Sequence, residues 1–247
     1  MWILYDTIDL FNAIREDGTY FPGTFNFSAS ASVTNEERIN DQNVYQAISS
    51  FGAQDTIRFD LGSAKAADTV AVYFSAAETN DLILYASANS NSSDHNNVED
   101  ITANFSKGWT VGTFTEATKR YWFLRSSSGT VANLTELLIG KRTTFDFEPD
   151  MGITYAAKHG ITDNTTPGSR FRSVRRHAPK KVFTLNWTSI DSTFKTTLET
   201  MKNTTHGDLH PVLFYDDSDY WYCRLTGLNM TEVAFNRYST SLTLEEV

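Results

Sequence analysis

From Lys181 to Val247 the hydrophobic period of the chain switches from that of a strand to that of a helix and back, and this order limits the folds open to it. Phe183, Leu185 and Trp187 alternate with Val182, Thr184 and Asn186, the period of two of a half-buried strand. Asp191 or Ser192 then offers an N-cap oxygen, and Phe194, Leu198 and Met201 follow at spacings of four and three, which makes one apolar helical face. Asn203, Gly207 and Pro211 end the helix, and Val212 to Tyr215 and Tyr220 to Thr226 read as two strands around the turn Asp216-Asp217-Ser218-Asp219. A closing strand over roughly Phe235 to Glu246 puts Tyr238, Leu242 and Leu244 on one side and Arg237, Ser239, Ser241 and Thr243 on the other. Strand, helix, hairpin and strand, with no catalytic motif among them, describe a segment built to assemble rather than to react.

Upstream, the pattern is of short strands between polar turns, the spacing of a β-sandwich. Ile57, Phe59 and Leu61 alternate with Arg58 and Asp60, and Val70, Val72 and Phe74 share one face of a strand over Thr69 to Ser75. Asp81 to Ala86, Arg120 to Arg125 and Leu134 to Gly140 complete the strongest set. Ser87 to Asp100 is too polar to pack and reads as an exposed loop. The charge shifts at Lys141-Arg142-Thr143, from a formal −7 over residues 1–142 to −2 over residues 143–247. Two domains are therefore expected, 1–142 and 143–247, both mainly β, with the one helix in the second.

The chain's 247 residues suffice for two domains with cores of their own. A net charge of −9 argues against general affinity for nucleic acid or anionic membranes, which calls for a surplus of Lys and Arg. One cysteine, Cys223, rules out an intrachain disulfide, so packing or oligomerisation must supply stability. No run of about eighteen apolar residues is present, so no membrane insertion is expected. The start, Met1-Trp2-Ile3-Leu4-Tyr5-Asp6, lacks a basic n-region, and synthesis in a cytoplasm is the expectation.

Gly152 to Pro179 has little periodicity and reads as a long loop or an extended hairpin, lengths that in compact domains are usually functional or disordered. Its end, Ser169 to Lys181, holds seven basic residues counting His177. A solvated hairpin, a contact for an acidic partner surface and a nucleic-acid contact are the three readings of that patch. Catalytic candidates are few. His206 and His210 have a zinc-like spacing, but Gly207 and Pro211 argue against the helix that would bring them together. Asp216, Asp217 and Asp219 lack the Gly and terminal Glu of an EF-hand loop and suit a hairpin turn. Neither a nucleophile elbow nor a phosphate loop occurs, so no enzyme, metal or cofactor is expected.

Two resemblances sharpen these expectations. Ile57-Arg58-Phe59-Asp60-Leu61-Gly62, Val70-Ala71-Val72-Tyr73-Phe74, Leu82-Ile83-Leu84-Tyr85-Ala86-Ser87 and Arg120-Tyr121-Trp122-Phe123-Leu124-Arg125 follow one another in an order that resembles the discoidin-like, galactose-binding-like jelly roll. The likeness covers roughly residues 25–142 and lacks the cysteine pair of the extracellular versions. It implies a sandwich whose loops grip a glycan in some members, with Tyr20, Phe21, Trp109 and the Ser87 to Asp100 loop as candidate contacts here.

Lys181-Val182-Phe183-Thr184-Leu185-Asn186-Trp187, the helix with Leu198 and Met201, Pro211-Val212-Leu213-Phe214-Tyr215 and the ending Tyr238 to Val247 resemble the tail-tube-like fold of phage tail-tube, distal-tail and minor tail proteins. That likeness implies a tail-tube-like β-sandwich or barrel that forms a ring, commonly hexameric, in a virion tail. Other tail proteins lie above and below such a ring, and DNA only passes through its channel. Arg170, Arg172, Arg175 and Arg176 are the expected contacts between subunits. The order of domains departs from that of distal-tail proteins, in which the ring domain comes first. A host-surface glycan bound by a non-catalytic module is the alternative function.

Overall fold

The computed structural model describes residues 1–7, 25–27, 45–48, 51–53, 55–89, 96–101, 106–127, 129–150, 152–165 and 171–247. The chain divides into two compact units, Asp6–Arg142 and a second made of Met1–Tyr5 together with Thr143–Val247. Both are built from antiparallel strands, so the protein is mainly β, as the alternating patterns require. A single cut after residue 142 does not reproduce this division, because the first five residues belong with the C-terminal part.

The chain opens with β1 (Trp2–Thr7) and then builds the unit Asp6–Arg142 from β2 (Phe25–Phe27), β3 (Thr56–Phe74), β4 (Leu82–Ser87), β5 (Asn96–Ile101), β6 (Gly108–Ser126) and β7 (Leu134–Thr144). The strand order is β5-β4-β6-β3-β7, with β2 paired to β3. The two short strands expected over Thr56 to Leu61 and Thr69 to Ser75 are one long strand, β3. Register shifts against β6 fall between Asp60 and Lys65 and between Ala67 and Thr69. Such bulges let a strand leave one layer and enter the next. The early half of β3 lies between β2 and the late half of β6, and its late half pairs with β7 through Val70↔Ile139 and Val72↔Leu137. Ile57, Phe59, Leu82, Leu84, Trp122 and Leu124 from one half meet Val70, Val72, Phe74, Leu137 and Ile139 from the other in one buried core. That is the two-layered sandwich expected.

The expected loop over Ser87 to Asp100 is corrected in part. Asn96–Ile101 is strand β5, paired with β4 from Leu82↔Ile101 to Ala86↔Asn96. It ends the order of strands, and an edge strand needs only backbone hydrogen bonds to one neighbour, so a polar sequence serves. Residues 90–95 lie outside the described residues.

The other unit adds β8 (Ile153–Thr165), β9 (Phe171–Ile190), α1 (Ser192–Thr204), β10 (Val212–Tyr215), β11 (Tyr220–Ala234) and β12 (Arg237–Glu246), in the sheet order β1-β10-β11-β12-β9-β8. Asp191 caps α1: its Oδ1 accepts the Phe194 amide at 2.8 Å, which satisfies one of the orphan donors of the first turn. At the other end Gly207, at φ 77°, donates its amide to the Lys202 carbonyl at 2.9 Å, a turn that a left-handed residue closes. Phe194, Leu198 and Met201 are buried by the helix's one apolar face. Beneath them lie Phe183, Leu185 and Trp187 of β9, Leu242 and Leu244 of β12, Cys223 and Leu225 of β11, Val212 and Phe214 of β10 and Ile3 of β1. Every register pair in that list, such as Leu242↔Leu185 and Ile3↔Phe214, keeps one face of the sheet toward the helix.

Candidate functional site

The segment expected as a loop or extended hairpin, Gly152 to Pro179, takes the second form. β8 and β9 pair from Ile153↔Leu185 to Thr165↔Phe171. β9 also pairs with β12, but that ladder ends at Glu245↔Val182. From Lys181 back to Phe171, among the described residues, β9 has β8 as its one strand partner. The hairpin therefore leaves the sheet as a two-stranded arm. Its strand β8 is exposed at Thr154, Tyr155, Ala156, Ala157, Lys158, His159 and Ile161, side chains from both faces.

Charge is concentrated on this arm. Residues 153–190 hold seven Lys and Arg against one acid, Asp163, a formal +6, so the remainder of the chain carries −15. The root is fastened to the sheet by side chains. Lys158 Nζ donates to both carboxylate oxygens of Glu245, at 2.9 and 2.7 Å, and the Lys181 amide donates to Glu246 Oε2 at 2.9 Å. Lys181 Nζ stands 3.6 Å from the centre of the Trp221 ring. Trp221 and Tyr155 both lie 5.4 Å, centre to centre, from Phe183.

Asp216 ties the root to the β10–β11 turn. It accepts from the Ser218 amide (2.9 Å) and hydroxyl (2.7 Å), the Asp219 amide (2.8 Å), Trp221 Nε1 (2.9 Å) and the Tyr155 hydroxyl (3.3 Å). Burial alone would raise its pKa, but the donors of Ser218, Asp219 and Trp221 outweigh that and hold it at about 2. The Tyr155 hydroxyl is pushed up, first by burial and then by the charge of Asp216 beside it. These contacts orient the root of the arm against the β10–β11 turn.

Of the four arginines expected at subunit contacts, Arg172 and Arg175 are on the outer stretch of β9, opposite Asn164 and Ile161, and Arg176 falls between the pairs of Arg175 and His177. Arg170 lies outside the described residues. Of the candidate glycan contacts Tyr20, Phe21 and Trp109, one falls within the described residues. Tyr20 and Phe21 lie outside the described residues, and Trp109 is not in a loop. Gly108, at φ 125°, opens β6 immediately before it, and Trp109 pairs across the sheet with Tyr73, ring centres 5.3 Å apart at 69°. Trp109 is half-buried there. Among the described residues no group of three or more His, Cys, Asp or Glu is placed to hold a metal. His206 and His210 stack edge-on at 5.5 Å beyond the end of α1. No helix among the described residues is long and apolar enough to cross a membrane.

Sequence reading missed Lys158, Glu245, Tyr155, Asp216 and Trp221 as a group, since each pair is joined by contacts that no local period announces. No family model matches this sequence, and no curated protein matches it. Solved structures similar to it include the CBM32 module of AlyQ in complex with 4,5-unsaturated mannuronic acid, at 25% identity over 46% of this chain and 92% of that one, TM-score 0.37. Chitosan-binding module 1 of a chitosanase/glucanase from Paenibacillus sp. IK-5 is 19% identical over 47% of this chain and 94% of that one, TM-score 0.38. A CBM32 module from a family 31 glycoside hydrolase of Clostridium perfringens is 11% identical over 49% and 96%, TM-score 0.38.

Proposed function

We propose that this chain is a non-catalytic assembly protein whose unit of Met1–Tyr5 and Thr143–Val247 binds copies of itself through the β8–β9 arm. The observation that carries the reading is the arm: a two-stranded ribbon that continues past its sheet and bears +6 on a chain whose remainder bears −15. An isolated two-stranded ribbon is marginal in water, so it gains most by lying on another surface. The complementary surface nearest in chemistry is the acidic body of a second copy. Arg forks at positions such as 172, 175 and 176 suit its carboxylates. An arm that leaves one copy for a different surface of the next makes a heterologous contact, which closes into a ring when the rotation allows. The tail-tube-like resemblance of the sequence supports a ring around a DNA channel in a phage tail, at a distal-tail or minor-tail position, and a location in the virion.

The test is sedimentation velocity and electron microscopy of the intact protein at low and high salt. Closed rings that dissociate as salt rises are expected, because exposed charge pairs are screened within about 10 Å at 0.1 M. The triple variant Arg172→Glu, Arg175→Glu, Arg176→Glu is expected to stay monomeric at low salt. A wild-type protein monomeric at every concentration and salt would overturn the reading.

A second reading gives residues 6–142 a carbohydrate-binding role, like that of the modules named above. The Tyr73–Trp109 pair favours it, since a half-exposed indole braced by a second ring can stack on a sugar face. Binding on a glycan array that Trp109→Ala abolishes, in a protein that still folds, is the result expected; unchanged binding by the variant removes Trp109 from the site.

A further inference from the structure

The arm is not regular along its length. Its register runs from Lys158↔Lys180 to Gly160↔His177 and then to Ile161↔Arg175. Two steps on β8 thus face three on β9, and the next single step faces two. β9 carries one surplus residue within Ala178-Pro179 and another at Arg176, two bulges in succession. Pro179 has no N–H for the ladder, and strand prolines are tolerated at such bulges. Across from this stretch is Gly160, whose backbone is held by no side chain of its own. Further out, the ladder is regular again from Ile161↔Arg175 to Thr165↔Phe171. Further in, the root is fastened through Lys158 to Glu245 and through Lys181 to Glu246 and Trp221.

We infer that residues 159–160 with 176–179 form a hinge, and that the outer ribbon is a short blade that swings about it when the arm seats on a second copy. The register of the ladder shifts twice within this stretch and is regular on either side of it, which is where bending is least opposed. The identity of the surface it meets rests on the self-assembly reading above; the hinge itself does not. Its partner is a second copy of this chain, on the charge complementarity already given.

Spin labels at Ser173→Cys on the blade and Thr200→Cys on α1 report the hinge within one unit, with pulsed-resonance distances measured in labelled protein diluted with unlabelled. Cys223 is buried, and burial pushes its thiol pKa up, so it stays unmodified. The blade from Gly160 to Thr165 is roughly 17 Å long at about 3.3 Å per residue, so a swing moves its end by about 5 Å or more. A broad distance distribution at high salt is expected, with a narrower one displaced by that amount on assembly at low salt. Deleting Arg176 and Pro179 restores one continuous register and is expected to narrow the high-salt distribution at least twofold; Arg176→Gln, which removes only the charge, is expected to leave it broad. Should the deletion fail to fold, Gly160→Val, a strand-favouring residue at the same hinge, is expected to narrow it too. Equal widths in wild type and in the folded hinge variant would overturn the inference. A wild type that never assembles sinks the self-assembly reading, yet the widths at high salt still decide the hinge.

Discussion

Asp216 shows how one exposed-looking acid organises a region. Read as one of three acids in a hairpin turn, it is the acceptor that closes that turn and reaches Trp221 and Tyr155. Its folded pKa, about 2, lies below the ordinary 3.8. A carboxylate depressed by folding contributes stability that is fully present above the unfolded value and is lost as pH falls through the folded one. The expected window for that loss is therefore pH 3.8 down to about 2. Asp216→Asn is expected to be less stable than wild type at pH 7, by on the order of 1 kcal/mol for hydrogen bonds to a charged group that weaken. The gap should shrink as pH falls through that window, and urea melts at a series of pH values measure it. A constant gap from pH 7 to pH 2 would show that the charge has no part in the turn. Trp221 sits under Lys181 and donates to Asp216, so its fluorescence gives a second, local readout of the same variant.

At the scale of elements, what was legible in the sequence follows from how local each signal is. Helix α1 was readable because its cap, its apolar spacing and its glycine stop all fall within about one helix length of one another. Asp191→Ala is expected to cost about 1 kcal/mol, and Leu198→Ala, which empties a site between α1 and the sheet, about 2–5 kcal/mol, both measured by chemical denaturation. A Leu198→Ala cost below that of the cap variant would mean that α1 does not cover the core. The arm was only half legible. Gly160, Pro179 and two bulges break the alternation on which strand reading depends, so the ladder from Ile153 to Thr165 left no period to detect. Its basic residues were visible, since composition survives where pattern fails. The place of Trp109 on β6 was illegible for the opposite reason: its ladder partner Tyr73 lies more than thirty residues upstream, beyond any local window. β5 was hidden because an edge strand can be polar.

At the scale of the whole molecule, the order of domains inferred from sequence is replaced by an insertion. Trp2, Ile3 and Leu4 pair with Tyr215, Phe214 and Leu213, contacts over two hundred residues long that no window along the chain could register. Along the sequence, Asp6–Arg142 therefore interrupts the other unit between its first strand and the rest of it. Each buried core draws on its own unit alone: residues between Ile48 and Ile139 make one, and Ile3 with Phe145 to Leu244 make the other. Two cores with no shared member are the condition for separate folding. The chain with residues 6–142 replaced by a flexible Gly/Ser linker of about eight residues, which spans roughly 16 Å, is expected to fold cooperatively and to keep any salt-sensitive assembly of the parent. Residues 6–142 alone are expected to fold and to remain monomeric, because the arm is absent. The discriminating variant removes β1 instead. Without Met1–Tyr5 the core loses Ile3 and β10 loses a partner strand, so that protein should melt at lower denaturant than the linker version, even though it discards far fewer residues. If instead it is as stable as the full chain, the first strand is an ornament of the second unit and not part of it.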